Sequence, residues 1–328
     1  MYEINRFEKT ESRKLKLKTI LKIVLFFMLV AFTLSILTNS YLDNRSKHEG
    51  LFINPLATVK EVIKKTTTYF NSRENSKNLE EIVGKVLKNE KNNYSIVINN
   101  LDTGERYYFN QDKIFDTASI YKLWIMAVAF NMIEDNKLDK SEVLSADVSE
   151  INTKFNIATE SAELTEGNVS WPVLDALEKM ITISDNYSAL LLSSRVKISN
   201  VSLFLKNNSF LSSRVGTLED NPKSSARDIG SFFEKLYDKD LANNQYTEEM
   251  LSLLKNQQIN TKLSKYLPEN IIIAHKTGEL GNYSHDGGIV YTNKGNYIIV
   301  VMSDTNAVLD ANENIANISK SVYEYFTK

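Results

Sequence analysis

"SIYKLWIMAVAFNMIEDN", residues 119–136, decides the fold of this chain. It is apolar nearly all round, with Lys122 the only charge before Glu134, and a helix of that kind is buried in a core rather than laid on a surface. Strand-like stretches lie on both sides of it. Upstream, "YSIVIN" and "ERYYFN" flank "NLDTG" and read as a hairpin around an Asp and Gly turn. Downstream, "NIIIAHKTG", "HDGGIVYT" and "NYIIVVMSD" are β-rich, and "NENIANISKSVYEYF" closes the chain as an amphipathic helix. From Ser119 to about Asp240 the pattern is helical, through "VLDALEKMITIS", "NYSALLLSSRV", "VSLFLKNN" and "ARDIGSFFEKLYDK". The expectation is an α+β domain: an antiparallel sheet of about five strands, drawn from both ends of the domain and packed with helices, plus an all-helical subdomain.

Working outward, "NLEEIVGKVLKN" has apolar residues at helical spacing, so the globular domain is expected to span 78–328. Before it, 41–77 is polar and reads as an extracytoplasmic stalk. The run "ILKIVLFFMLVAFTLSIL" opens a 20–40 segment near the lower length limit for a single transmembrane helix. Residues 1–19 carry Arg6, Lys9, Arg13, Lys14, Lys16 and Lys18, whereas the far flank is mixed in charge. By the positive-inside rule, that asymmetry is expected to keep the N-terminus cytoplasmic and to send the globular domain outside the cell membrane. A cleaved signal peptide is the alternative, and "SILTNS" is a poor cleavage site for it.

The formal charge of −2 gives no basic footprint for nucleic acid. With no cysteine there is no thiol nucleophile, no disulfide and no Cys-type metal site. The three histidines, His48, His275 and His285, are too scattered for a metal cluster, and neither a metal nor another cofactor is expected. A serine nucleophile with a histidine base would need His275 or His285, which leaves room for a different base.

A serine three residues before a lysine occurs three times, as Ser119/Lys122, Ser194/Lys197 and Ser252/Lys255. Any such pair shares a helix face and can be an ordinary surface contact. Only the first opens a strongly apolar helix, where burial disfavours the charged lysine. For Lys122 to act as a neutral base at about pH 7–8, its pKa must fall roughly 3 units, at a cost of about 4 kcal/mol. A helix start would also favour negative charge on a tetrahedral oxyanion at Ser119. "TISDNYSAL" adds Ser184, Asp185 and Asn186, which equally suit helix capping. "IIAHKTGEL" adds Lys276, Thr277 and Gly278 at the end of a β-rich run, which equally suits a hairpin end.

Together and in this order, S-x-x-K, S-D-N and K-T-G resemble the signatures of the penicillin-recognising serine hydrolases, most closely the class A β-lactamase and D-Ala-D-Ala peptidase branch. The resemblance runs from about Asn78 to the C-terminus. It implies Ser119 as acylated nucleophile, Lys122 as its base, Ser184 as proton relay to the leaving nitrogen and Lys276 as electrostatic tuner of Ser184. It implies Asn186 as partner of the substrate's amide side chain and Thr277 as contact to a substrate carboxylate. Gly278 lets substrate lie close to the backbone, and the N–H groups of Ser119 and Glu279 form the oxyanion hole.

Two features depart from the pattern. Class A β-lactamases use a glutamate in an E-x-x-L-N setting for deacylation; Glu219 falls near that place but is followed by "DNPK", in a shorter loop. After Gly278, "ELGNYSHDGGIVY" offers no arginine to assist Thr277, and His285 and Asp286 read as structural parts of the hairpin. The expected function is a membrane-anchored serine acyl hydrolase or transferase of penicillin-binding, peptidase-like type, with cell-wall peptides or β-lactams as substrates. A true class A β-lactamase using Glu219 is one alternative, and a non-catalytic envelope binding module is another.

Overall fold

The computed structural model describes residues 75–217 and 220–328. The basic segment 1–19, the apolar segment 20–40, nearly all of the expected stalk and Glu219 lie outside the described residues. Among the described residues, no helix is long and apolar enough to cross a membrane.

The domain opens with α1 (Lys77–Leu87), β1 (Tyr94–Asn100), β2 (Arg106–Phe109) and β3 (Ile114–Asp116). The middle holds α2 (Lys122–Glu134), β4 (Val143–Asp147), α3 (Val148–Lys154), β5 (Asn168–Pro172), α4 (Val173–Thr182), α5 (Asn186–Val196), α6 (Ile198–Asn207), β6 (Lys223–Ser225), α7 (Ala226–Tyr237) and α8 (Asn244–Lys255). It closes with β7 (Ile272–Leu280), β8 (Tyr283–Tyr291), β9 (Tyr297–Asp304) and α9 (Val308–Phe326).

Five strands form one antiparallel sheet in the order β2-β1-β9-β8-β7, so the two N-terminal strands join the three C-terminal ones through β1 and β9. Side chains alternate across a strand, and here the alternation serves two cores. Ile96, Ile98, Ile299 and Val301 face Leu79, Val83, Leu87, Ile315, Ile318 and Val322 from the terminal helices. Val97, Ile298, Val300 and Met302 face the other way, onto a larger core with α2 and α7. Within it, every residue of α2 from Leu123 to Phe130 is buried, as an all-round apolar helix must be. Removing each of its Leu, Ile, Met, Val and Phe side chains from water stabilises the fold by about 1.5–3 kcal/mol, enough to override the modest helix propensity of Ile125 and Val128.

The helical middle is less uniform than its sequence pattern. Two small ribbons interrupt it, β3 with β6 and β4 with β5. The β4 and β5 strands bury little beyond Leu144 and Val169, so their alternation is too short to stand out in sequence. Asp147 ends β4 and caps α3, its Oδ1 accepting from Ser149 N at 2.8 Å.

Candidate active site

Ser119 lies on a 3-10 turn, Ala118–Tyr121, and the α-helix proper begins at Lys122. Ala118 sits at φ 46°, a left-handed conformation that costs a side-chain-bearing residue about 1–2 kcal/mol. Surrounding contacts hold it there. Thr117 N donates to Pro222 O at 2.8 Å, and His285 Nε2 donates to Asp116 O at 2.8 Å. His285 Nδ1 accepts from Ser303 N at 3.1 Å, which fixes the neutral tautomer. Burial pushes this imidazole down to about 4, so His285 is a neutral strut between the sheet and the turn.

Gly278, on the outermost strand β7, packs directly beneath that turn. A Cβ placed on it would lie 2.9 Å from Thr117 O, 3.0 Å from Ile120 Cγ1 and 3.3 Å from Ala118 Cβ. The glycine therefore lets the strand approach the Ser119 turn, a close approach of backbone to backbone.

Lys122 separates itself from the other two serine and lysine pairs by burial: it is fully buried, whereas Lys197, Ser252 and Lys255 are exposed. Its ammonium donates to Ser184 O at 2.5 Å, Ser184 Oγ at 3.2 Å and Asn186 Oδ1 at 2.7 Å. Burial lowers its pKa to about 8, with Asp185 and Glu163 pulling the other way. Lys276, also fully buried, donates to the same Ser184 Oγ at 3.0 Å and to Thr277 O at 2.9 Å. Burial, then the neighbouring Lys122 charge, lowers it well below the ordinary lysine value. Two lysines thus share one serine hydroxyl, a continuous path for a proton.

The S-D-N stretch divides its labour. Ser184, at φ 61° between α4 and α5, and Asn186 turn to Lys122, whereas Asp185 caps α5 through Ser188 N at 2.7 Å. Asn186 Nδ2 also donates to Glu163 Oε1 at 2.5 Å. Glu163 is one of two exposed acids in "SAELTEGN", with no sequence signal to mark it.

A second unforeseen group is Lys262. Its side chain is 2% exposed, and its Nζ lies 3.3 Å from Gly278 O and 3.2 Å from Glu279 Oε2. A buried Asp286 carboxylate holds the adjoining backbone, accepting from Leu263 N at 3.0 Å and pairing with His275 Nδ1 at 2.9 Å. Neither histidine ring is therefore engaged with Ser119. Among the described residues, no group of three or more His, Cys, Asp or Glu is arranged to hold a metal ion.

A cleft of 820 Å³ is lined by Ser119, Asn186 and Glu279 together with the apolar Trp124, Ile125, Leu190 and Val201. The arrangement offers a hydroxyl at a cleft, a buried amine of lowered basicity, a hydroxyl relay and an apolar wall for an acyl group, the parts that acyl transfer needs.

The sequence model of the beta-lactamase enzyme family matches residues 77–326. Among curated proteins none matches the chain. Solved structures do. A structure of PBP-A is 21% identical, with 77% of this chain and 97% of that one covered and a TM-score of 0.67. A beta-lactamase from Sphaerobacter thermophilus is 19% identical, covering 76% and 97%, with a TM-score of 0.66. TLA-3 extended-spectrum beta-lactamase is 19% identical, covering 76% and 99%, with a TM-score of 0.65. A mutant PBP-A has been solved as an acyl-enzyme complex with penicillin G. At these identities the likeness is one of fold.

Proposed function

This chain belongs to the beta-lactamase enzyme family and is a serine hydrolase, and from that premise we propose that Ser119 is its nucleophile and carries a covalent acyl ester. The enzyme is of penicillin-binding, D-Ala-D-Ala peptidase-like type and acts on cell-wall peptides, with β-lactams as mimics. Residues 20–40 anchor it in the cell membrane with the catalytic domain outside, a reading supported by the apolar run and the basic residues before it.

One group carries this reading: the Lys122 ammonium, which joins all three motifs by donating to Ser184 and Asn186 while Lys276 meets the same Ser184 hydroxyl. In its neutral form Lys122 takes the Ser119 proton as Oγ attacks the substrate carbonyl carbon. Backbone N–H groups of Ser119 and Glu279 receive the oxyanion. The proton then passes from Lys122 through Ser184 to the leaving nitrogen, the C–N bond breaks, and the ester remains on Ser119. Water or an acceptor amine attacks the ester, takes the acyl group and restores the serine hydroxyl. The apolar side chains of the cleft receive the acyl part.

Incubating the full chain with a labelled penicillin and following intact mass tests this. A long-lived adduct of one penicillin per chain, lost in Ser119→Ala, is the expected result. Rapid turnover that Glu219→Ala converts into a trapped adduct would instead identify a true class A β-lactamase. No adduct and no hydrolysis of any β-lactam or acyl peptide would overturn the assignment of Ser119.

A further inference from the structure

The face of the sheet that carries Thr277 also carries Glu279, Ser284 and Asp286, because Thr277 pairs with Asp286 and Glu279 with Ser284 across β7 and β8. Lys262 is the buried cation at this face, and its charge is already matched. Glu279 Oε2 lies 3.2 Å from Lys262 Nζ and accepts from Asn312 Nδ2 at 3.2 Å. Asn312 is itself held on α9, its Oδ1 accepting from Ser284 Oγ. Asp286 adds a second, fully buried carboxylate and holds Leu263, next to Lys262. Lys276 belongs to the opposite face and is turned to Ser184. Asp286 is itself paired with His275 Nδ1 at 2.9 Å, so Glu279 is the carboxylate set against Lys262. The lysine at this face is therefore engaged by a carboxylate before any substrate anion arrives.

We infer that Glu279 is a specificity-determining residue: its carboxylate fills the subsite beside Thr277 and Lys262 where a substrate carboxylate would bind. The site accordingly prefers acyl amides whose leaving end carries no negative charge, such as an amidated or internal peptide linkage, over a free C-terminal amino acid. Glu279 is 51% exposed, so its side chain has solvent to move into when an anion displaces it. That displacement breaks a contact to a buried lysine and leaves two anions close together, which disfavours the charged substrate at the binding step. The inference rests on the proposed roles of Ser119 and Thr277.

The test compares a labelled penicillin, which bears a carboxylate, with its methyl ester, which does not. Acylation of Ser119 in the full chain is followed by mass for the wild type, Glu279→Gln and Asn312→Ala. Gln keeps the size of the side chain and removes its charge, whereas Asn312→Ala loosens Glu279 and also removes the acceptor of Ser284 Oγ on β8. Glu279→Gln is expected to raise the ratio of acylation by the acid to acylation by the ester about tenfold, equivalent to about 1.4 kcal/mol, whatever change is common to both probes. Asn312→Ala is expected to shift the acid-to-ester ratio in the same direction by less. An unchanged ratio in Glu279→Gln, or parallel loss with both probes, overturns the inference while Ser119 acylation stands. Absence of any Ser119 adduct, in wild type and variants with either probe, overturns the nucleophile assignment and the inference with it.

Discussion

Lys122 combines complete burial with three polar acceptors, and burial holds its pKa down to about 8. If its neutral form is the base, the rate of Ser119 acylation rises with pH through about 8 and levels off above it, falling about tenfold per unit below. A rate constant for adduct formation that stays flat from about pH 6 to 9.5 would remove Lys122 from that role. Stability carries the same sign. Because the folded-state pKa lies below the unfolded one, the unfolded chain binds more protons between about 8 and 10.5, and Lys122 favours folding increasingly across that window. Ser119, Lys122, Ser184 and Lys276 were readable in the sequence as candidates, because the chemistry proposed for them demands particular side chains at particular spacings. Lys262 and Glu163 were not, since a lysine in "NTKLSKYL" acquires meaning only once Asp286 and the sheet bury it.

The turn before α2 and the strand β7 act as one unit, joined at Gly278. Gly278→Ala would put a Cβ 2.9 Å from Thr117 O, and the main chain must yield because the neighbour is backbone rather than a flexible side chain. The expected outcome is a drop in acylation rate of at least about tenfold, with stability lowered by about 1–3 kcal/mol in denaturant unfolding. Gly84→Ala is the matching control. Gly84 sits inside α1, its added Cβ meets nothing within 4 Å, and stability should rise by about 0.8–1.0 kcal/mol with acylation unchanged. Long elements were legible in advance: the buried helix α2, the hairpin of β1 and β2 and the three C-terminal strands all follow from periodicity. The β4 and β5 ribbon was not, because strands of five residues with little buried apolar surface give periodicity little to register.

Across the whole molecule, a single sheet separates two cores and belongs to both. Damage to the core remote from the cleft is therefore expected to destabilise the entire domain in one cooperative transition. Ile299→Ala, fully buried among the strands and terminal helices, should cost about 2–5 kcal/mol in urea unfolding. The acylation rate of the folded fraction should stay as in the wild type; separate transitions for the two cores would contradict this architecture. The fold class was legible because helices interrupt strands in the sequence, whereas the two faces of the sheet depend on register, which residue order alone does not display. The position of β7 has one more consequence. It is the last strand of the sheet, and an uncovered last strand invites pairing with other chains. Here the Ser119 turn and α8 pack against it, and this packing is expected to hinder pairing of β7 with another chain. Variants that loosen the turn should accumulate as aggregates during expression, and a lost activity at Gly278 will need to be judged on the monomer that survives.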